Sequence, residues 1–289
     1  MKLTKDMKIL IVGLGLIGGS YAKALTKKGY TVSAITKEQS SVDFALQNGY
    51  VAKATTIVDK NYIEEADLIV FALYPHTFVE WIRQYKDLIR PGTVLTDVTG
   101  IKGSVVSEVQ ALLPSYIEFI PAHPMAGREV SGVENADERI FIDSNYIVTP
   151  TEKNTDGAIE LCLDLGRELG FSKLSTLPAQ MHDEIIGFVS QLTHCIAICL
   201  MTCQTVDGLE KYTGDSFRDL TRIARLNDEM WSELFLTNKT ALLKQLHLFG
   251  NEMEKMCKII ENDDREALRE MMRYSTKRRE LFDKRKQEN

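Results

Sequence analysis

The chain has 289 residues, 44% of them apolar and 26% charged, with a formal net charge of −6. That balance suits a globular protein of one or two domains and speaks against a nucleic-acid binder, which would carry a basic excess. Five cysteines without a Cys-x-x-Cys pair argue against a disulfide framework and fit a cytoplasmic compartment. The N-terminal Met-Lys-Leu-Thr-Lys-Asp-Met-Lys leads into a strand rather than a signal-peptide core. No apolar run reaches membrane-spanning length, the stretch from Ile196 to Met201 being too short, so no membrane partner is expected.

In chain order, Lys8-Ile-Leu-Ile-Val12 predicts a first strand, and Leu16 to Lys28 a helix that stops at Gly29. Between them stands Gly13-Leu-Gly15-Leu16-Ile17-Gly18-Gly19-Ser20. Gly13 permits the tight turn, Gly15 lets the backbone approach a pyrophosphate, and Gly18 lets helix and strand pack closely. The helix start at Leu16 and Ile17 offers free N–H groups to phosphates. Tyr30 to Ile35 predicts a second strand, with a helix around Ser41 to Asn48. A carboxylate at that strand's tip would hold the ribose 2′-hydroxyl of NAD. Here the tip is Thr36-Lys37, with Ser40 close by and Glu38 off position. Lys37 and the two hydroxyls suit a 2′-phosphate, so the expected cofactor is NAD(P) with a lean to NADP.

Ala66 to Leu73 and Thr93 to Asp97 are further β-rich runs, each followed by helical patterning. Such alternation means βαβ units and a mostly parallel sheet. The loop Asp97-Val-Thr-Gly-Ile-Lys-Gly103 follows the later run, and Phe-Ile-Pro-Ala-His123-Pro-Met-Ala-Gly127 follows another short apolar stretch. An imidazole at the carboxyl edge of such a sheet lies where substrates bind, and its pKa suits proton transfer near neutrality. A histidine beside proline is also found as an ordinary loop residue.

After Pro178 the period is helical almost to the end, with a long apolar helix from about Gln180 to Gln204. Cys195, Cys199 and Cys203 share one face of it and read as packed apolar side chains; no metal site is expected. Asp219 and Arg222, spaced i, i+3, share another helical face. Arg273, Lys277, Arg278, Arg279, Lys284, Arg285 and Lys286 read as solvated cations that complement a helix C-terminus. The expected fold is α/β: an N-terminal Rossmann-type doubly wound sheet over residues 1–170, then an all-helical substrate-binding and dimerisation domain over 171–289. Apolar surface around Cys195–Met201 and on the later helices predicts a two-fold dimer.

Gly-Leu-Gly-Leu-Ile-Gly-Gly-Ser (13–20), Asp-Val-Thr-Gly-Ile-Lys (97–102), His-Pro-Met-Ala-Gly (123–127), His-Asp (182–183), Ser-Gln-Leu-Thr-His (190–194), Phe-Arg-Asp-Leu-Thr-Arg-Ile-Ala (217–224) and Met230-Trp231 occur in one order. Together they resemble the prephenate dehydrogenase family over essentially the whole chain. The resemblance implies oxidative decarboxylation of a cyclohexadienyl substrate in tyrosine biosynthesis: hydride passes to a nicotinamide and the ring carboxylate leaves as CO2. Arogenate is the alternative substrate. By the same match His123 is the catalytic base toward the 4-hydroxyl, and Arg222 pairs with a substrate carboxylate. His194 binds substrate, Glu129 stands near the entrance, and Asp183, Asp219 and Trp231 are supports. The match also makes Thr99 a substrate-binding residue; many members have Ser at the position of Gly100, so Thr99, a backbone group or a water must substitute for that hydroxyl, or His123 is oriented less tightly. Gln191 likewise stands where His is common. A non-catalytic dinucleotide-binding scaffold would keep the glycine loop but have no need of His123 and Arg222 together.

Overall fold

The first strand, β1 (Lys8–Val12), lies inside a six-stranded sheet in the computed structural model, which describes residues 2–282. Its companions are β2 (Thr31–Ile35), β3 (Lys53–Thr55), β4 (Leu68–Phe71), β5 (Val94–Asp97) and β6 (Glu118–Phe119). All pair in parallel, in the order β3-β2-β1-β4-β5-β6. The helices of this part are α1 (Leu16–Lys27), α2 (Gln39–Gln47), α3 (Lys60–Glu65), α4 (Pro75–Tyr85), α5 (Gly103–Leu112) and α6 (Asp156–Leu169). Successive strand residues face opposite sides. Ile9 and Ile11 therefore join a cluster with Tyr21 and Leu25 of α1 and Leu161 and Leu165 of α6. Leu10 and Val12 join another with Phe78 and Ile82 of α4 and Val105 and Val109 of α5. A sheet covered on both faces needs the near-continuous apolar strands seen in the sequence. Strand order reverses between β1 and β4, which opens the crevice where such folds bind ligands.

A second, three-stranded sheet follows: β7 (Ala122–Met125), β8 (Asn145–Val148) and β9 (Lys173–Thr176). β7 and β8 run antiparallel, β8 and β9 parallel. Sequence patterning misses this sheet and β3, because β3 has only three residues and β7 contains Pro124. His123 is thus not a loop residue after a parallel strand, as expected, but lies within β7, opposite Ile147.

From residue 179 to 282 the chain is mainly helical. α7 (Ala179–Ile186), a π-helical turn over Gly187–Leu192 and α8 (Thr193–Thr202) form one continuous helix. At 24 residues it is long and apolar enough to cross a membrane by length and composition, which corrects the expectation that nothing reaches that length. It nevertheless carries buried His182 and Gln191. α9 (Asp215–Thr221), α10 (Asp228–Thr237), α11 (Lys239–Glu261) and α12 (Arg265–Arg279) complete the chain. The chain divides into two compact units, Met1–Lys239 and Thr240–Asn289, so α7 to α10 belong with the sheets. In the second unit Leu243, Leu248, Met253, Ile260 and Met272 are exposed, and Arg273 pairs with Glu266 of its own helix. The expected cations Lys284, Arg285 and Lys286 lie outside the described residues.

Candidate active site

The glycine turn between β1 and α1 is built for a ligand's close approach. Gly13 has φ +102°, and a Cβ there would stand 2.4 Å from the Ala72 carbonyl oxygen. A Cβ on Gly18 would stand 1.9 Å from the Gly13 carbonyl oxygen, whereas one on Gly15 would meet nothing within 4 Å. Gly13 and Gly18 are thus demanded by the turn itself, and the space before Gly15 is open. Gly15 is the N-cap of α1; no side chain caps this end and no acid lies in its first turn. The first N–H groups are left for an anion, so the residues present fit a dinucleotide pyrophosphate. Leu16 is buried and Ile17 packs against the same core, which leaves their backbone to face a ligand. Thr36 Oγ1 accepts from Leu14 N at 3.4 Å, tying the tip of β2 to this turn, while Lys37 and Ser40 are exposed beside it.

The chemical end rests on a buried ion pair. Asp97 ends β5, and Lys102 Nζ donates to its Oδ2 at 2.6 Å, both side chains being fully buried. Burial lowers the Lys102 ammonium from its ordinary pKa and the Asp97 carboxylate opposes that shift. Removing one partner of such a pair would leave an uncompensated buried charge. Asp97 Oδ1 also accepts Ala122 N at 3.0 Å, which fixes the start of β7 one residue before His123. Thr99 is buried, and its hydroxyl lies against Asp97 and Lys102 Nζ.

Asp183 of α7 caps α5, accepting Lys102 N at 2.8 Å and Gly103 N at 2.7 Å, where the helix dipole favours a carboxylate. His182, buried, sets Nδ1 2.8 Å from Asp183 Oδ1 and Nε2 2.8 Å from His123 Nδ1. Burial holds the His123 imidazole well below its ordinary pKa, and the His182 ring and the Lys102 charge push the same way. Its Nε2 lies 3.8 Å from where a Cβ on Gly100 would sit, and Leu234 of α10 closes that space from 3.6 Å. His182, Asp97 and Lys102 are the functional groups sequence reasoning passed over. Their signal was present in the His-Asp pair and in an Asp and a Lys five residues apart before a helix.

The opposite wall is anchored through the π-helical turn, a feature that often marks functional sites. Gln191 is buried there, donates to Leu234 O at 3.0 Å and accepts from Asn238 Nδ2 at 2.7 Å. Asn238 Nδ2 also lies 3.0 Å from Asp183 O, so one network joins this wall to the His123 side. His194 Nδ1 donates to Ser190 O at 2.9 Å, and its ring stacks on Trp231 with centroids 3.7 Å apart. Burial lowers the His194 pKa while the Ser190 carbonyl opposes it. Arg222 is exposed and pairs with Glu129; the carboxylate raises the His194 pKa and the guanidinium lowers it. Asp219, expected beside Arg222, is exposed and makes no such pair. Among the described residues no group of His, Cys, Asp and Glu is arranged to hold a metal.

Known proteins share this organisation. Residues 21–172 match the family model for the prephenate dehydrogenase nucleotide-binding domain, and residues 178–274 that for the prephenate dehydrogenase dimerization domain. Prephenate dehydrogenase of Bacillus subtilis is 31% identical over 270 residues, spanning 90% of this chain and 72% of that protein. Cyclohexadienyl dehydrogenase of Zymomonas mobilis is 30% identical, spanning 94% of each. Among solved structures, Aquifex aeolicus prephenate dehydrogenase in complex with hydroxyphenyl propionate and NAD+ superposes with a TM-score of 0.90. It is 27% identical to this chain, and the match covers 98% of this chain and 100% of that one. With the glycine turn described above, these matches make the chain an NAD(P)-dependent oxidoreductase. The chain belongs to the prephenate dehydrogenase family.

Proposed function

We propose that the chain oxidatively decarboxylates prephenate to 4-hydroxyphenylpyruvate with reduction of NAD(P), in tyrosine biosynthesis. The bound dinucleotide supplies the hydride acceptor. His123 Nε2 receives the proton of the 4-hydroxyl as hydride leaves the same carbon, a general-base role. Its depressed pKa keeps the ring unprotonated at neutral pH. Loss of the ring carboxylate as CO2 makes the ring aromatic, so the protein's task is to orient the substrate and hold one proton. Arg222 pairs with a substrate carboxylate through its planar fork, exchanging Glu129 for it. His194, backed by Trp231, lines the substrate's other side, and Asp183 holds the His123 side together.

The observation that carries this reading is the placement of His123. Its Nδ1 is occupied by His182, and its Nε2 lies in the space between Gly100 and Leu234. Lys37, Thr36 and Ser40 at the tip of β2, without a carboxylate at the 2′-hydroxyl position, favour NADP over NAD. Residues 1–170 carry the dinucleotide, and 171–289 carry substrate contacts and a two-fold dimer face. The exposed apolar side chains of α8 and the later helices are covered by the second copy, and the enzyme works in the cytoplasm. Purified protein should form 4-hydroxyphenylpyruvate from prephenate with cofactor reduction, faster with NADP than with NAD. Arogenate assayed in parallel decides the substrate: turnover of arogenate alone would replace this reading.

A further inference from the structure

The chain of contacts from His123 through His182 to Asp183 has one consistent arrangement of protons. Both oxygens of Asp183 accept backbone N–H groups, from Lys102 at 2.8 Å and Gly103 at 2.7 Å, so the group is a carboxylate. His182 Nδ1, 2.8 Å from Asp183 Oδ1, must therefore donate. A neutral His182 then has its lone pair at Nε2, and His123 Nδ1, which faces it at 2.8 Å, must donate in turn. The lone pair of His123 is left at Nε2, the nitrogen beside Gly100.

Burial is the first cause that keeps the two rings neutral, and it outweighs the Asp183 carboxylate, which favours a charged His182. Lys102 presents a cation to both, paired with Asp97, and Asp183 is the one carboxylate in direct hydrogen bond with either ring. Two imidazolium rings at this distance would set N–H against N–H. A free histidine side chain in water favours the opposite tautomer, with its proton on Nε2, so the arrangement needs enforcement. Gly100 contributes no side-chain group at Nε2, and among the described residues the His123 ring has a single hydrogen-bond partner, His182.

We propose that His182 is a positioning residue that selects the Nδ1–H tautomer of His123, with Asp183 as the terminal acceptor. The nitrogen that takes the substrate proton is thereby unprotonated and aimed before substrate arrives. When His123 becomes charged, its Nδ1–H already points along a path that ends at a carboxylate. This inference rests on His123 acting as the base in the function proposed above.

The test reads the tautomer directly in the full chain labelled with 15N-histidine, which has five histidines to resolve. Long-range 1H–15N correlation at pH 7.5 should show a pyrrole-type Nδ1 and a pyridine-type Nε2 for both His123 and His182. A proton on His123 Nε2, or a cationic His182, overturns the proposal. The spectrum is taken without substrate, so a correct tautomer in a protein inactive on prephenate would sink the function and leave the relay standing. Kinetics adds a second reading. His182→Leu should lower kcat about 100-fold, within the range a general base contributes, with unchanged dinucleotide affinity. Its acid limb of kcat/KM should move further below the ordinary histidine value of 6.5, because leucine removes the acceptor that would stabilise a charged His123 and leaves its burial in place. His182→Gln keeps an acceptor where ring Nε2 stood and should recover most of that loss, staying within about tenfold of the parent. Equal losses in both variants, or none in His182→Leu, would overturn the positioning role. Should His182→Leu not fold, the spectrum and His182→Gln against the parent decide alone.

Discussion

At the dinucleotide end of the cleft, the turn from Gly13 to Gly18 offers the uncapped N-terminus of α1 and open space before Gly15, with Gly13 and Gly18 packed tightly against backbone atoms. At the chemical end, Asp97, Lys102, His123, His182 and Asp183 converge from β5, the start of α5, β7 and α7, and every one of them acts through its side chain. The first kind of site tolerates little added volume, because its neighbours are backbone atoms that cannot turn aside. The second tolerates volume beside His123 but no loss of a donor or acceptor. The two ends should therefore fail in different ways.

The largest effect is expected from His123→Asn. Turnover should fall by about 10²–10⁴, the range of a general base, while dinucleotide affinity by fluorescence titration stays at the parent value. A tenfold change in that affinity would break the separation of the two ends. Gly18→Ala should act the other way round. Its Cβ would lie 1.9 Å from the Gly13 carbonyl oxygen, which should cost about 1–3 kcal/mol of stability through overpacking and weaken the dinucleotide. Gly15→Ala, with nothing within 4 Å of its Cβ, should spare the melting temperature and impair dinucleotide binding alone. Equal stability losses in the two variants would mean that the turn is under no particular demand at Gly18.

Arg222→Gln should raise KM for prephenate roughly 10- to 100-fold, as expected for losing a charge-assisted hydrogen bond, with kcat less affected. An unchanged KM would remove Arg222 from substrate binding. A smaller effect concerns pH. Burial is the leading cause that holds His123 and His182 below the ordinary value of 6.5. As pH falls through 6.5 the unfolded chain takes up these protons before the folded chain does, so stability should decline below that pH. Urea unfolding between pH 7.5 and 5 should show this slope, and it should be shallower in His182→Gln. The smallest effect is expected of Gly100→Ala. Its Cβ meets Leu234 at 3.6 Å and His123 Nε2 at 3.8 Å, ordinary contacts, so stability should stay within about 0.5 kcal/mol.

Much of this was legible in the linear chain. The strands from β1 to β5, apart from the three-residue β3, and the glycine turn follow from residues next to one another, as does the long helix of α7 and α8. His123, Arg222 and His194 stood out by their motifs. The second sheet escaped because its strands are short and one contains proline. The tie of Thr99 to the Asp97–Lys102 pair was not legible in the sequence, since a short hydroxyl is drawn to a buried charge only once the fold has buried that charge. The i, i+3 spacing of Asp219 and Arg222 put them on one helical face, and the guanidinium reaches Glu129, 93 residues away in sequence.

The sequence by itself determined the alternation of strand and helix, the glycine turn and the motif that singles out His123. Each of these depends on local periodicity or on the steric allowance of glycine, which neighbouring residues specify. Only the tertiary structure decided what holds that imidazole. His182 meets His123 across 59 residues of chain, with Asp183 behind it, because α7 packs against α5. A hydrogen bond over such a separation depends on the packing of whole elements, and no local pattern encodes it.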